Sequence, residues 1–128
     1  MFTSGTMANQ YKYGDVLLVT YPFTDQSAAK QRPVLAVSHA RFNQGQDIVV
    51  VPLSSRVDTG DPFGFTIHET DAFFGSTGLL VSSSVKWTKP MTISSVVVKR
   101  RLGVVPAETM RQLAEKLQGL FTPPATTE

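Results

Sequence analysis

Apolar and polar positions fall into short runs, and most of these runs predict strands. Asp15–Tyr21, DVLLVTY, is rich in β-branched and aromatic residues and reads as a strand. Residues 33–38 predict a second strand, with Pro33 at its start, and residues 47–53, DIVVVPL, a third. Residues 64–68, GFTIH, alternate apolar and polar and predict a fourth; residues 78–85 and 94–99 supply two more. Turn residues separate these runs in FTDQSAAK, NQGQ and DTGDP. One helix is expected near the C-terminus. Val105-Pro106 opens it with proline at the first helical position, and Met110, Leu113, Ala114, Leu117, Leu120 and Phe121 then recur at helical spacing. That stripe predicts core or interface. Several short strands and one terminal helix predict a mostly β, mostly antiparallel barrel or sheet with a C-terminal helix as its cap.

A chain of 128 residues is read as one domain. Residues 1–11 read as a loose leader, in which Met7 offers an alternative start, and residues 12–121 as the domain. The Pro- and Thr-rich residues 122–128 read as a disordered tail. There is no cysteine, so neither a disulfide nor a thiolate metal site is expected, and a reducing cytoplasm fits. No apolar run reaches the roughly 18 residues of a membrane helix. The first ten residues lack the basic start and long apolar stretch of a secretory signal. Twelve Lys and Arg against ten Asp and Glu leave a net charge of +2, too mild to imply nucleic-acid binding alone. The distribution is uneven: Lys86, Lys89, Lys99, Arg100 and Arg101 fall within sixteen residues that contain no acid. By itself such a run reads as a solvated face.

Several chemistries find no motif. The two histidines, His39 and His68, have no paired spacing, and neither an HExxH helix nor a calcium loop is present. No metal site or cofactor is therefore expected. Phosphate-cradling glycine loops and the GxSxG elbow are also missing. What remains are polar residues at strand ends. KQRPVLAVS, residues 30–38, places Lys30 and Arg32 directly before an apolar strand. VPLSSR ends a buried strand in Ser54, Ser55 and Arg56. SSSVKWTKP, if extended, puts Lys86 and Thr88 on one side and Trp87 on the other. A tryptophan between lysines can stack on a base while the lysines hold phosphates, although a sole tryptophan more often lies in a core.

Taken together, YGDVLLVTYPFTD, KQRPVLAVS, VVPLSS and GLLVSSSVKWTKPMTISSVVVKRRLG, followed by an amphipathic helix, resemble the MazF/PemK/Kid family of type II toxins, on its PemK-like branch. The resemblance covers residues 13–121. It implies a compact SH3-like barrel of the CcdB/PemK type, as a homodimer. It implies a metal-independent endoribonuclease that cuts single-stranded messenger RNA at short motifs, leaving 2′,3′-cyclic phosphate and 5′-hydroxyl ends. The implied partner is an antitoxin whose disordered acidic tail blocks the RNA groove. The family's RP arginine falls on Arg32, and its catalytic threonine falls on Ser54, which keeps a hydroxyl. The Arg-x-Asp pair of the Kid branch reads here Lys86-Trp87-Thr88, keeping a cation and losing the carboxylate.

Such cleavage turns the 2′-hydroxyl on the adjacent phosphate. It needs a proton acceptor, charge for the developing phosphorane and a proton for the leaving oxygen. Arg32 suits the second role, since a guanidinium matches two phosphate oxygens and stays charged. Ser54 and Lys86 complete the expected catalytic set. Lys30, Ser55, Arg56 and Thr88 are expected to contact RNA, with Phe23, Phe63 and Trp87 as stacking candidates. His39 titrates in the right range for a base but has no family counterpart. Two alternatives share the fold: a non-catalytic relative that binds nucleic acid or antitoxin, and a CcdB-type gyrase poison.

Overall fold

The computed structural model describes residues 11–21 and 30–125. Residues 22–29, which include Phe23, the first ten residues and the last three lie outside the described residues. Among the described residues seven strands run in order: β1 Asp15–Tyr21, β2 Lys30–Ala36, β3 Asp47–Ser54, β4 Thr66–Ile67, β5 Ser83–Val85, β6 Met91–Ser94 and β7 Val98–Val104. Two single-turn helices, α1 Ala40–Asn43 and α2 Phe74–Thr77, precede the long α3, Ala107–Phe121. All pairings are antiparallel, in the order β4-β5-β3-β2-β1-β7, with β6 also on β3. The sheet is curled, and the mostly β architecture with a C-terminal helix is the one expected. Two register shifts in the β1–β7 ladder add twist where the sheet bends.

β1, β2 and β3 are apolar on both faces because both faces are covered. Val16, Leu35, Val51 and Leu53 pack with Val85, Val105 and α3's Met110 and Leu113 on one side. Leu17, Val19, Val34, Ala36, Ile48 and Val50 pack with Ile93 on the other. Adjacent residues thus enter different cores, which accounts for continuous apolar runs in place of clean alternation. β3 is the hub: its start pairs with β6, its middle with β2 and its end with β5.

Polar contacts fasten the start of the domain to this hub. Asn43 is fully buried and its side-chain amide donates to the carbonyls of Tyr11 and Ser38, both at 2.9 Å. Ser38 Oγ donates to Asn43 Oδ1 and accepts from Val49 N–H on β3. The buried Asp15 carboxylate meets the Arg101 guanidinium at 2.9 Å and accepts from Lys12 N–H. Arg101 also lies over the Tyr11 ring.

Three element expectations change. The run 78–85 is a strand only from Ser83. Gly78 caps α2 at φ 74°, a left-handed conformation, and the chain leaves it as a loop. The run 94–99 is broken by a 3-10 turn, Ser95–Val97, in which Ser94 Oγ accepts from Val96 N–H; β7 starts at Val98. Pro106 is the N-cap, and the helix starts at Ala107. Within the apolar stripe of α3, Met110 and Leu113 are buried, whereas Leu120 and Phe121 are exposed. No helix among the described residues is long and apolar enough to cross a membrane.

α2 sits tightly on β7. A methyl at Gly103 would collide with the backbone of Ser76 and Thr77, and one at Gly78 with the backbone of Leu102. Ser76 Oγ also donates to Val104 O. Gly103→Ala is therefore expected to destabilise the fold by about 1–3 kcal/mol, the usual cost of overpacking, read as a lower urea midpoint. Gly119→Ala, where an added methyl meets nothing, should be neutral or stabilising by the same measurement.

Candidate RNA-binding groove

A groove of about 610 Å³ opens where the doubly buried strands leave the cores. Its apolar lining comes from Leu18 of β1, Pro33 of β2, Pro52 and Leu53 of β3, Leu102 of β7 and the loop Leu79, Leu80 and Val81. Its polar lining has three guanidinium residues, Arg32, Arg56 and Arg100, and the serines Ser54, Ser55 and Ser83. No carboxylate or imidazole occurs among the described residues that line it. The local charge is thus far more positive than the chain's net charge suggests, and a cleft of one sign attracts and orients anions.

Arg32 stands in the exposed first half of β2, opposite Val19, two residues before Val34 enters the core. Its backbone is therefore fixed while its guanidinium makes no ion pair or hydrogen bond with the described residues. Arg101 differs, because Asp15 already engages it. Ser54 ends β3 opposite Ser84 of β5. Its Oγ accepts from Arg56 N–H at 3.1 Å, which closes a short turn and leaves the hydroxyl proton to donate elsewhere. Arg100 pairs with Leu18 across the β1–β7 ladder, so it shares the groove side with that leucine, whereas Arg101 pairs with Leu17.

Of the expected residues, Arg32, Ser54, Ser55 and Arg56 come together here. Lys30 is exposed at the start of β2 and outside the lining. Lys86, Trp87 and Thr88 do not form the extended display expected of them. They make a turn closed by Lys89 N–H to Lys86 O at 3.1 Å. Lys86 is held beside β3, donating its N–H to Pro52 O at 2.9 Å, but does not line the groove. Thr88 is exposed on the turn. Trp87 is a correction: it is buried in the core cluster, so it offers no face to a base. Its Nε1–H donates to Phe63 O at 2.8 Å, and Lys116 lies over its ring. Phe63 is exposed but packs obliquely on Trp87, away from the groove lining. His39 caps α1, with Nδ1 accepting from Phe42 N–H. In the sequence Arg100 stood only as one member of a basic run, and its place in the groove follows from its register against Leu18.

Residues 12–121 match the family model described as "PemK-like, MazF-like toxin of type II toxin-antitoxin system". No curated protein matches the sequence. Three solved structures illustrate the likeness in fold. An endoribonuclease in complex with its cognate antitoxin, from a Mycobacterial species, is 20% identical with a TM-score of 0.66, over 92% of this chain and 99% of that one. A MazE-MazF structure from Deinococcus radiodurans is 20% identical with a TM-score of 0.68, over 87% and 95%. The Mycobacterium tuberculosis toxin MazF-mt6 is 20% identical with a TM-score of 0.65, over 84% and 95%.

Burial of Trp87 has a direct readout. The fluorescence of this sole tryptophan should be blue-shifted, poorly quenched by acrylamide and little changed by saturating single-stranded RNA. Strong quenching on RNA addition would return Trp87 to the stacking role.

Proposed function

The chain belongs to the PemK-like, MazF-like toxin family of type II toxin–antitoxin systems, and on that premise we propose that its groove binds single-stranded messenger RNA and cleaves it without a metal cofactor. The observation that carries this reading is the convergence of Arg32, Arg56 and Arg100 with Ser54 in one groove that has no lining carboxylate among the described residues. In the reaction the 2′-oxygen attacks the adjacent phosphorus, the bond from phosphorus to the 5′-oxygen breaks, and a 2′,3′-cyclic phosphate and a 5′-hydroxyl result. Arg32 neutralises the phosphorane oxygens with two parallel hydrogen bonds. Ser54, oriented by Arg56 N–H, donates its proton to a third oxygen. Arg56 and Arg100 hold neighbouring phosphates, Arg100 taking the place expected of Lys86. Lys30 and Ser55 contact RNA beyond the scissile bond.

Arginine is a poor base because it stays protonated far above neutral pH. With neither imidazole nor carboxylate in the described lining, the 2′ proton passes to solvent, and solvent returns a proton to the leaving 5′-oxygen. Rate enhancement then rests on positioning and charge stabilisation. The same observation favours one second reading, in which the groove binds RNA and leaves it intact. A cationic groove also fits the acidic, disordered tail of a cognate antitoxin, whose occupancy excludes RNA. The proposed setting is cytoplasmic, and the proposed state is a homodimer.

Purified protein incubated with a long RNA in EDTA should give discrete ends carrying cyclic phosphate; RNA retained but uncut would establish the second reading. Arg32→Ala is expected to lower cleavage by about 100- to 1,000-fold, as loss of one preorganised donor does, and to relieve growth arrest on expression. Ser54→Ala should cost about 10- to 100-fold, the worth of a hydrogen bond to a charged group. The logarithm of the rate should rise steadily through neutral pH. An inflection in that range would instead assign the proton to a side-chain base of the protein.

A further inference from the structure

Leu80 is 92% exposed and Val81 is 45% exposed, yet both line the cationic groove. An apolar pair in that position needs a reason, because a leucine left almost wholly in water beside a half-exposed valine gains little for the fold. The segment is held at both ends. On one side Gly78, at φ 74°, and Gly103 let the chain lie directly on β7. On the other, Glu69 N–H donates to Ser82 Oγ at 2.8 Å and Ser82 N–H donates to Glu69 Oε2 at 3.2 Å. The leucine is thus presented by a braced loop at the groove's mouth.

Resting on the RNA-cleavage reading, we infer that Leu80, with Val81, is an apolar wedge that unstacks the base beside the scissile phosphate and turns it onto the groove's apolar lining. In-line attack requires the 2′-oxygen, the phosphorus and the leaving 5′-oxygen to align. A stacked, helical single strand holds the 2′-oxygen off that line, so breaking one stacking step is part of reaching the transition state. Apolar side chains inserted at a base step do this in other nucleic-acid complexes, and single-stranded RNA is read by bases splayed from their stack. The groove complements both halves of such a nucleotide. Arg32, Arg56 and Arg100 meet its phosphates, and Leu53, Leu79 and Leu102 offer the base an apolar surface. A volume of about 610 Å³ lies within the range that encloses a small ligand, and so admits one extruded nucleoside with its phosphate. Leu80 touches substrate and acts on the geometry of the reacting strand; Arg32 acts on charge.

The test uses the full chain and an RNA carrying its mapped cut motif. That RNA is 2′-O-methylated at the scissile nucleotide so that it binds uncut, and has 2-aminopurine as the next base. Wild-type protein should raise the probe's fluorescence on binding, since unstacking relieves its quenching. Leu80→Ser should still bind the RNA by anisotropy, fail to raise the fluorescence and cut the unmethylated RNA about 10- to 100-fold more slowly, the scale of one lost base contact. Leu80→Met, which keeps an apolar side chain, should restore both signals. No rise with wild-type protein that still cuts RNA, or Leu80→Ser indistinguishable from wild type, overturns the wedge and leaves the cleavage reading standing. Leu80→Ser that loses only the dimer or only antitoxin binding would assign the pair to a protein interface and overturn it equally. Wild-type protein that neither binds nor cuts RNA refutes the cleavage reading itself.

Discussion

The central strands are buried on both faces, and this constraint decides where function can sit. Along most of β1, β2 and β3 neither face is free: one lies against α3 and its neighbours, the other against Ile93 and the second core, and that cover opens where Leu18, Pro33 and Pro52 border the groove. A polar side chain can reach solvent only where a strand leaves the cores. Arg32 occupies such a point on β2 and Ser54 on β3. Both are therefore anchored by residues one or two positions away that cannot move without opening the interior. Rigid placement of few groups is what electrostatic catalysis needs, because donors aimed in advance need no reorganisation when charge develops.

The other half of the groove depends on a backbone contact rather than on side chains. α2 and the loop after it approach β7 so closely that Gly78 and Gly103 leave no room for a Cβ. That approach brings Leu79, Leu80 and Val81 into the same lining as Arg100 and Leu102. Strand ends from the first half of the chain supply Arg32 and Ser54, and this glycine-set contact supplies the apolar wall. The two halves meet only in the folded sheet, since β3 pairs with β5 across a long stretch of intervening chain.

How far the sequence revealed this can be traced residue by residue. Arg32 and Ser54 became candidates through the family resemblance; on residues alone each marked only the junction of an apolar run and a polar stretch, and that junction is also where the cores end. The strand segments of β1, β2 and β3 were legible from the apolar runs themselves. Trp87 was ambiguous: an extended reading of SSSVKWTKP exposes it, but Lys89 N–H closes a turn on Lys86 O and the indole folds inward to the Phe63 carbonyl. Leu79, Leu80 and Val81 looked like a strand by composition, yet the left-handed Gly78 before them redirects the chain. Arg100 was hidden in a basic run whose members look alike. Only the register against Leu17 and Leu18 separates Arg101, spent on Asp15, from Arg100, which joins the groove.

That division of labour between adjacent arginines also explains a mild overall charge beside a strongly cationic site. Arg101 lies against a buried acid and an aromatic ring, and Arg111 against Glu108 and Glu115 on α3. The acids near these cations neutralise structural positions and leave Arg32, Arg56 and Arg100 without a lining carboxylate among the described residues. A guanidinium kept free of internal partners carries no ion pair to break when a phosphate arrives, so more of its attraction is retained in binding. The same groups remain charged across the physiological pH range, so occupancy of the groove responds to ionic strength and to competing polyanions, not to protons. An acidic protein segment and an RNA strand present the same feature to such a groove. On the proposed reading the two compete for the same guanidiniums, and occupancy by one excludes the other.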